Sequence, residues 1–220
     1  MNVLIVHAHQ EQKSFCSALK DYAVETLTKT GHAVQVSDLY AMNFKAIADE
    51  NDFLIKADPN YFKYQAEQVN AFTKEAFSAD IKTEMEKLLW ADVLIFNFPL
   101  WWFSVPAILK GWVDRVFAMG FAYGAGKGVY ETGVFKGKKG MLCVTTGGPE
   151  MAYGENGKNG VMEKILFPIN HGMLYFVGMD VLEPFVAYSP ARISDEERKN
   201  YLNNYTHRLS NLNLEKPISF

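Results

Sequence analysis

Residues 93–112 have the sequence VLIFNFPLWWFSVPAILKGW. The apolar run at residues 93–98 has the length and composition of a buried β-strand, and Pro99 ends it. Pro106 stands where proline is tolerated, in the first turn of a following helix. Between the two prolines lie three consecutive aromatic residues, Trp101, Trp102 and Phe103. Three neighbouring rings in a loop cannot all point into the core, so we expect a platform for a flat ligand, although a core position stays open for any single ring.

The rest of the chain alternates between strand-like and helix-like segments. Four further apolar runs predict strands, at residues 3–6, 33–36, 141–145 and 180–187. Periodic segments predict helices at about residues 14–31, 61–77, 80–90, 106–119, 161–172 and 194–209. We expect Ser14 to cap the first of these helices, and Ser194 with Glu197 forms a capping-box pattern at the start of the last. This alternation predicts an α/β fold, with a doubly wound sheet of five parallel strands, helices on both faces and long loops at the strand C-terminal ends. We expect a single domain over residues 1–220, with a polar tail at about residues 210–220.

The composition argues against several classes of protein. Aromatic residues make up 14% of the 220 residues, the formal net charge is −3, and there are two cysteines. The negative charge argues against a nucleic-acid partner. Two isolated cysteines cannot form a disulfide framework, and no apolar run reaches membrane-spanning length. We therefore expect a cytoplasmic protein without a membrane span.

The loop after the first strand carries a candidate anion site. His9, Lys13 and Ser14 stand just before a predicted helix. The free N–H groups and the dipole of a helix N-terminus favour negative charge, so one interpretation is a binding site for the phosphate of a ligand. An ordinary capped turn is the alternative.

The fourth predicted strand ends in Thr145, Thr146, Gly147 and Gly148. Glycines let the backbone approach a ligand closely and offer N–H donors, although a sharp turn explains the same residues. The carboxyl ends of parallel strands share one edge of the sheet, so the anion site, the ring platform and this bare backbone should lie together. A flavin nucleotide matches this combination, because it has a phosphate, a flat ring and a polar ring edge. Neither a G-x-G-x-x-G fingerprint after a strand nor a P-loop motif is present.

Seven segments spread over nearly the whole chain carry a family resemblance: AHQEQKSF, VSDLYAMNF, FPLWWFSVPAILKGWVDRVF, TTGG, LYFVGM, VLEP and EER. Together they resemble the NAD(P)H:quinone oxidoreductases, a family of flavodoxin-like enzymes, and most of all its ribosyldihydronicotinamide-type members. The resemblance implies a flavodoxin-like fold and a homodimer with two active sites at the subunit interface. It also implies FAD, rather than FMN, as cofactor and NAD(P)H as co-substrate.

The resemblance also implies a role for individual positions. It places the cofactor against residues of several loops, with Lys13 of the anion site nearby: His9, Ser14, Phe15, Cys16, Pro99, Leu100, Trp101, Trp102, Phe103, Thr145, Thr146, Gly147, Gly148, Tyr153 and Arg198. It places the substrate against Trp102, Phe103 and Asn159 of one subunit, and against Tyr123 and Phe176 of the other. The expected catalytic donors are Gly147, Gly148, Tyr153 and Asn159.

Two departures from the family pattern matter. Many members have a histidine where Asn159 stands, and asparagine does not titrate near neutral pH. We therefore expect Tyr153 and Asn159 to supply hydrogen bonds, and a histidine proton relay is in doubt. An animal member holds a structural metal through two histidines and a cysteine, whereas here Tyr175 replaces the second histidine beside His171. We expect no metal.

The resulting functional prediction is the two-electron reduction of quinones to hydroquinones by a reduced nicotinamide, with ping-pong hydride transfer through the flavin. Reduction of azo or nitro compounds at the same site is an alternative within enzymes. A flavoprotein regulatory subunit of an ion-efflux system, or an interaction module without flavin, are alternatives from other classes.

Overall fold

The computed structural model describes residues 1–220, which form six strands and six α-helices. The strands are β1 Asn2–His7, β2 Ala33–Asp38, β3 Val93–Pro99, β4 Lys139–Thr146, β5 Asp180–Val181 and β6 Phe185–Tyr188. The helices are α1 Phe15–Lys29, α2 Tyr64–Lys74, α3 Ala79–Trp90, α4 Ala107–Val116, α5 Met162–Ile169 and α6 Asp195–Ser210. A π-helical segment, Asn170–Tyr175, follows α5 directly.

All strands run parallel in one sheet, in the order β2-β1-β3-β4-β5, and β6 also pairs with β4. The predicted α/β fold is therefore confirmed. The predicted fifth strand is divided in two, because Pro184 lies between β5 and β6 and has no N–H to donate to the sheet. The chain reverses its direction of winding at β1, so the carboxyl ends of β1 and β3 border a crevice where ligands bind in such sheets.

Helices bury the sheet on both faces. Helices α2 to α5 pack on one face, where Leu94 and Phe96 of β3 point, and helices α1 and α6 pack on the other, with Val93 and Ile95. Alternate residues of each central strand are thus buried on opposite sides. This is why the strands have continuous apolar sequences instead of alternating ones.

Local sequence signals fix both ends of α1 and the start of α6. The Ser14 side chain accepts a hydrogen bond from the Ser17 N–H and begins α1. Gly31 follows that helix with φ of +83°, as a helix-terminating glycine does. Ser194 and Glu197 form the predicted capping box of α6. The predicted helix end at residue 172 is wrong, since the π-helical segment continues through it.

The irregular segment between β2 and α2 is attached to the helices by a buried carboxylate. Asp52 is fully buried and accepts hydrogen bonds from Arg115 Nε at 3.0 Å, Lys45 Nζ at 3.0 Å and the Tyr64 hydroxyl at 2.9 Å. Because each partner lies on a different part of the chain, this network holds the loop against α4. None of the helices combines the length and the apolarity that crossing a bilayer requires.

Candidate active site

The N-terminus of α1 forms the first part of the site. The backbone N–H groups of Phe15 and Cys16 have no acceptor within the chain. Both residues line a cavity of about 460 Å³. Five other predicted site residues line it as well: His9, Lys13, Ser14, Thr145 and Arg198. The structure therefore brings the predicted anion-binding residues together around free backbone donors and the positive end of a helix dipole.

The charged groups of this cavity are held in different ways. The Arg198 guanidinium donates to the carbonyl oxygens of Pro190, at 3.0 Å, and Ile193, at 2.6 Å, which fixes it at the cavity wall. Lys13 is exposed and free to move toward a ligand. Burial lowers the pKa of His9, so this imidazole is neutral near pH 7 without a ligand. An anion in the cavity would favour its protonated form.

A buried polar network supports this loop from below. Atom Nδ1 of His7 lies 2.5 Å from Oδ1 of Asn97, and Nε2 of His7 lies 3.1 Å from the hydroxyl oxygen of Ser17. Ser17 in turn donates to the Glu11 carbonyl oxygen at 2.9 Å. The Cys16 thiol also reaches Asn97, and burial raises the pKa of this thiol. Cys16 can therefore offer a ligand its backbone N–H but not a thiolate.

The turn after β4 presents backbone donors. The carbonyl of Gly147 accepts a hydrogen bond from the Ser189 hydroxyl at 3.2 Å, and the carbonyl of Gly148 accepts one from the Thr146 hydroxyl at 2.8 Å. The N–H groups of both glycines have no acceptor within the chain. The Thr146 side chain thus shapes the turn, while the two N–H groups stay available to a ligand.

Gly148, Tyr153 and Asn159 form a close cluster. A Cβ atom at Gly148 would lie 3.1 Å from the Tyr153 hydroxyl and 3.3 Å from the Asn159 amide nitrogen. The Asn159 N–H donates to the Ala152 carbonyl at 2.9 Å, which folds its loop back onto Tyr153. The absence of a side chain at position 148 therefore leaves room for these two polar groups beside the free N–H donors.

The aromatic segment forms a narrow turn at the end of β3. The Leu100 N–H donates to the Thr145 carbonyl at 2.8 Å, and Trp101 and Ser104 exchange two backbone hydrogen bonds. Trp102 and Phe103 at the tip have φ of +51° and +59°, a left-handed conformation that costs energy in residues with side chains. Trp102 is 96% exposed. A single chain therefore leaves uncovered the rings that we expected to contact a flavin and a substrate.

Two predicted substrate-binding residues lie elsewhere. The rings of Tyr123 and Phe176 are 5.6 Å apart and line a small pocket together with Val113 and Phe117 of the α4 region. None of the aromatic residues at the β3 turn lines this pocket, and neither does Asn159. The structure of one chain thus holds two separate halves of the predicted substrate site.

Sequence reasoning missed the segment after β6. Pro190 and Ala191 line the cavity at the α1 N-terminus, and the ring of Tyr188 lies 5.7 Å from that of Tyr153. Tyr188 ends β6, and Pro190 and Ala191 follow it at the carboxyl edge of the sheet, so the rule that ligands bind at this edge could have identified them.

The predicted metal-free state stays a prediction. No group of three or more His, Cys, Asp or Glu side chains is placed to hold a metal ion. His171 instead stacks on Phe167, with ring centroids 4.7 Å apart, and Tyr175 stacks on Phe220 at 4.9 Å. His171 is therefore part of a surface aromatic cluster.

Known proteins resemble the chain over nearly its full length. A family model described as the flavodoxin-like fold matches residues 1–209. Ribosyldihydronicotinamide dehydrogenase (quinone) of Rattus norvegicus is 46% identical over 217 residues, 98% of this chain and 94% of that protein. NAD(P)H dehydrogenase (quinone) 1 of Cavia porcellus is 45% identical over 218 residues, 99% of this chain and 79% of that protein. The structure of a candidate quinone reductase from Klebsiella pneumoniae has a TM-score of 0.96 and 45% identity, and covers 100% of this chain and 88% of its own.

The strand order, the free helix N-terminus and the bare turn after β4 define a flavodoxin-like protein. The chain belongs to this fold family and, within it, to the NAD(P)H:quinone oxidoreductases, which are oxidoreductase enzymes. The resemblance noted in the sequence is thereby confirmed.

Proposed function

We propose that the protein reduces quinones to hydroquinones with NAD(P)H as electron donor and FAD as bound cofactor. One observation carries the proposal: the Gly147 and Gly148 N–H groups are free, and the Tyr153 hydroxyl and the Asn159 amide lie within van der Waals distance of a Cβ at Gly148. Donors clustered this way match the edge of a flavin ring on which negative charge develops. Two of the relatives reported above are named as quinone dehydrogenases, and their names support the same reaction.

The residues at the sheet edge fit a flavin nucleotide. The α1 N-terminus with Lys13 and His9 would hold the phosphates, and the backbone from Pro99 to Phe103 would run along the ring. We favour FAD over FMN because the cavity continues past the helix N-terminus to Arg198. When bound, FAD supplies a carrier that accepts a hydride from the nicotinamide and passes two electrons to the acceptor.

The chain's own residues would bind and orient the cofactor and the substrates, and would donate hydrogen bonds to them. The two glycine N–H groups and the Tyr153 hydroxyl stabilise negative charge at the ring edge. The Asn159 amide donates to the acceptor oxygen, but it holds no titrating proton near pH 7, so we expect solvent to supply the protons of the hydroquinone. Trp102 and Phe103 stack on flat substrates and exclude water.

We also propose a homodimer in which each subunit completes the site of the other. Trp102 is almost fully exposed on a turn of unfavourable backbone conformation, while the pocket of Tyr123 and Phe176 lies apart from it on the same chain. The two-fold axis of a homodimer can place the exposed aromatic tip of one subunit against the apolar pocket of the other, so that together they form one site. The cytoplasmic location and the single-domain organisation remain predictions.

The dimer can be tested by subunit complementation. A Phe103→Ala chain and a Phe176→Ala chain each form homodimers with two damaged sites. A heterodimer of the two has one intact site if the partner supplies Phe176. We expect its turnover to be about half that of the wild type. A heterodimer as inactive as both parents, or a monomer by analytical ultracentrifugation, contradicts the shared site.

The function itself can be tested with purified protein. Mass spectrometry of the released flavin distinguishes FAD from FMN, and steady-state assays combine menadione with NADH, NADPH or ribosyl-dihydronicotinamide. We expect FAD and rapid menadione reduction with at least one donor. Negligible turnover of the flavin-loaded protein with every donor overturns the enzymatic proposal. Azo and nitro compounds as acceptors in the same assay test the alternative substrates.

A further inference from the structure

A second cavity lies beside the candidate active site, behind Tyr188. It has a volume of about 550 Å³ and is enclosed by α5, β6 and residues 218–220. Its walls are mainly apolar and include Met162, Leu166 and Val186. Neither the α1 N-terminus, nor the glycine turn, nor the aromatic segment lines it. Its volume falls within the range of small-molecule sites, so it is large enough for a ligand rather than for a few waters.

One buried polar group in the cavity wall has no partner. Asn170 is 4% exposed, and its side-chain oxygen has no hydrogen-bond donor within reach. A buried carbonyl oxygen without a donor is costly, and such groups usually bind a water or a ligand. A bound molecule that carries a hydrogen-bond donor at this wall would give the oxygen its missing partner.

Two carboxylates border the same cavity. Glu163 on α5 and Glu183 just before β6 both line it, and neither forms an ion pair. The neighbouring Arg208 donates to the Glu183 backbone carbonyl but pairs its charge with Glu215. Burial, together with nearby carboxylates that include Glu163, raises the pKa of the Tyr188 hydroxyl in the cavity wall to about 12. The mouth of an apolar cavity is thus left with net negative charge.

We propose that this cavity binds a small apolar molecule carrying a protonated amine. The hydrocarbon part would fill the apolar interior, and the ammonium group would donate to the acceptors at the wall and neutralise the two carboxylates. A quinone offers only acceptor oxygens to the same groups, and NAD(P)H brings negative phosphates. The site therefore selects a class of ligand that differs from both substrates of the proposed reaction, and it does not depend on that reaction.

The Tyr188 side chain separates the cavity from the candidate active site. The Tyr188 ring lines the cavity and lies 5.7 Å from the ring of Tyr153, which belongs to the polar cluster at Gly148. One layer of aromatic rings thus separates the two sites. A ligand in the cavity would leave the flavin edge free, so both sites can be occupied at once.

The proposal can be tested by calorimetry of the purified, FAD-loaded protein. The probe is 2-(aminomethyl)naphthalene, which is an ammonium ion at pH 7, and its comparator is 2-naphthalenemethanol, which has the same ring without the charge. We expect the ammonium to bind once per chain and about tenfold more tightly than the alcohol. A Glu163→Gln, Glu183→Gln double variant should bind both probes equally.

Controls separate this cavity from other sites. A Glu86→Gln, Glu196→Gln double variant changes net charge equally at exposed positions elsewhere, and it should keep the preference for the ammonium. Excess menadione should not displace the probe. The proposal is overturned by equal binding of the two probes to the wild type, or by no binding at all. A preference that survives the loss of Glu163 and Glu183, or displacement by menadione, also overturns it.

Discussion

Gly148 and Tyr153 are so close that a methyl group on the glycine would lie 3.1 Å from the phenolic oxygen. The turn after β4 and the loop that follows it are therefore packed against each other at the polar corner of the site. The arrangement leaves little room for a side chain at position 148, and it keeps the backbone N–H groups of the turn beside the Tyr153 hydroxyl and the Asn159 amide.

Gly148→Ala is expected to damage this corner. The new Cβ would force Tyr153 and Asn159 to move by a few tenths of an ångström, and misplaced donors lose much of their effect. We expect about tenfold weaker FAD binding, measured by the quenching of flavin fluorescence. The matched control is Gly154→Ala, because Gly154 has ordinary φ and a Cβ there meets no atom within 4 Å. Equal FAD affinity in the two variants would contradict the assignment.

Lys13→Gln tests the anion site. Lys13 is an exposed cation at the cavity around the free N–H groups of α1. Its loss should weaken FAD binding about threefold and make the affinity less sensitive to salt, since exposed charge pairs are weak and screened. FAD titrations at low and high ionic strength measure both effects. The exposed Lys136, which lies outside the cavity, serves as control in the Lys136→Gln variant, and identical salt dependence in both variants would refute the site.

We predict that the hydrogen bonds and ion pairs of the buried Asp52 contribute to the free energy of unfolding. Asp52→Ala leaves the buried Arg115 with Asp80 as its one remaining charged partner, removes the acceptor of Lys45 and Tyr64, and should lower the free energy of unfolding by about 3 kcal/mol. Asp49→Ala removes an exposed carboxylate that also pairs with Lys45 and accepts a hydrogen bond from the Asn51 N–H, and it should destabilise the protein much less. Urea denaturation compares the two variants. A similar small loss in both would mean that the network does not hold the loop.

Because the His7 imidazole is buried, we predict that the free energy of unfolding depends on pH. Burial lowers its pKa below the ordinary value of 6.5, so the unfolded chain binds a proton more readily than the folded one. The free energy of unfolding should therefore decrease as the pH falls below about 6.5, until the pH reaches the folded-state pKa. The groups around this imidazole are Asn97, Ser17, Asp38, Lys20 and His9.

A His7→Gln variant isolates this contribution. It should have a shallower loss of stability between pH 6.5 and pH 5 than the wild type, as measured by urea denaturation across that window. Because other groups titrate in both proteins, the difference between the two curves is the quantity to compare. Parallel curves would show that His7 is not held neutral by the fold.

The sequence predicted those parts of the fold that short-range physics determines. The apolar run of β3, the Ser14 cap and the Ser194 capping box each depend on neighbouring residues, and each is confirmed. The division of the last strand at Pro184 could have been predicted in the same way, whereas the π-helical segment after α5 depends on packing with distant elements. Periodicity carries no information on such packing.

The same limit applies to the candidate site. Residues at the ends of strands and in the loops that follow them, such as Thr145 and Ser14, could be assembled from topology alone, and they share one cavity. Outside the site, one partner of Asp52 is Arg115, which lies 63 residues away, and no local pattern joins the two. The separation of Tyr123 from Trp102 within one chain was expected only through the family resemblance, because a single sequence does not state which contacts a second copy makes.

The central claim is electron transfer from a nicotinamide to a quinone through FAD at this site. Anaerobic stopped-flow mixing of the FAD-loaded protein with NADH, NADPH or ribosyl-dihydronicotinamide tests it most directly. The account predicts that at least one donor abolishes the absorbance of oxidised flavin, and that menadione, added in a second mixing step, restores it. Absorbance that no donor changes, or that menadione fails to restore, would contradict the account.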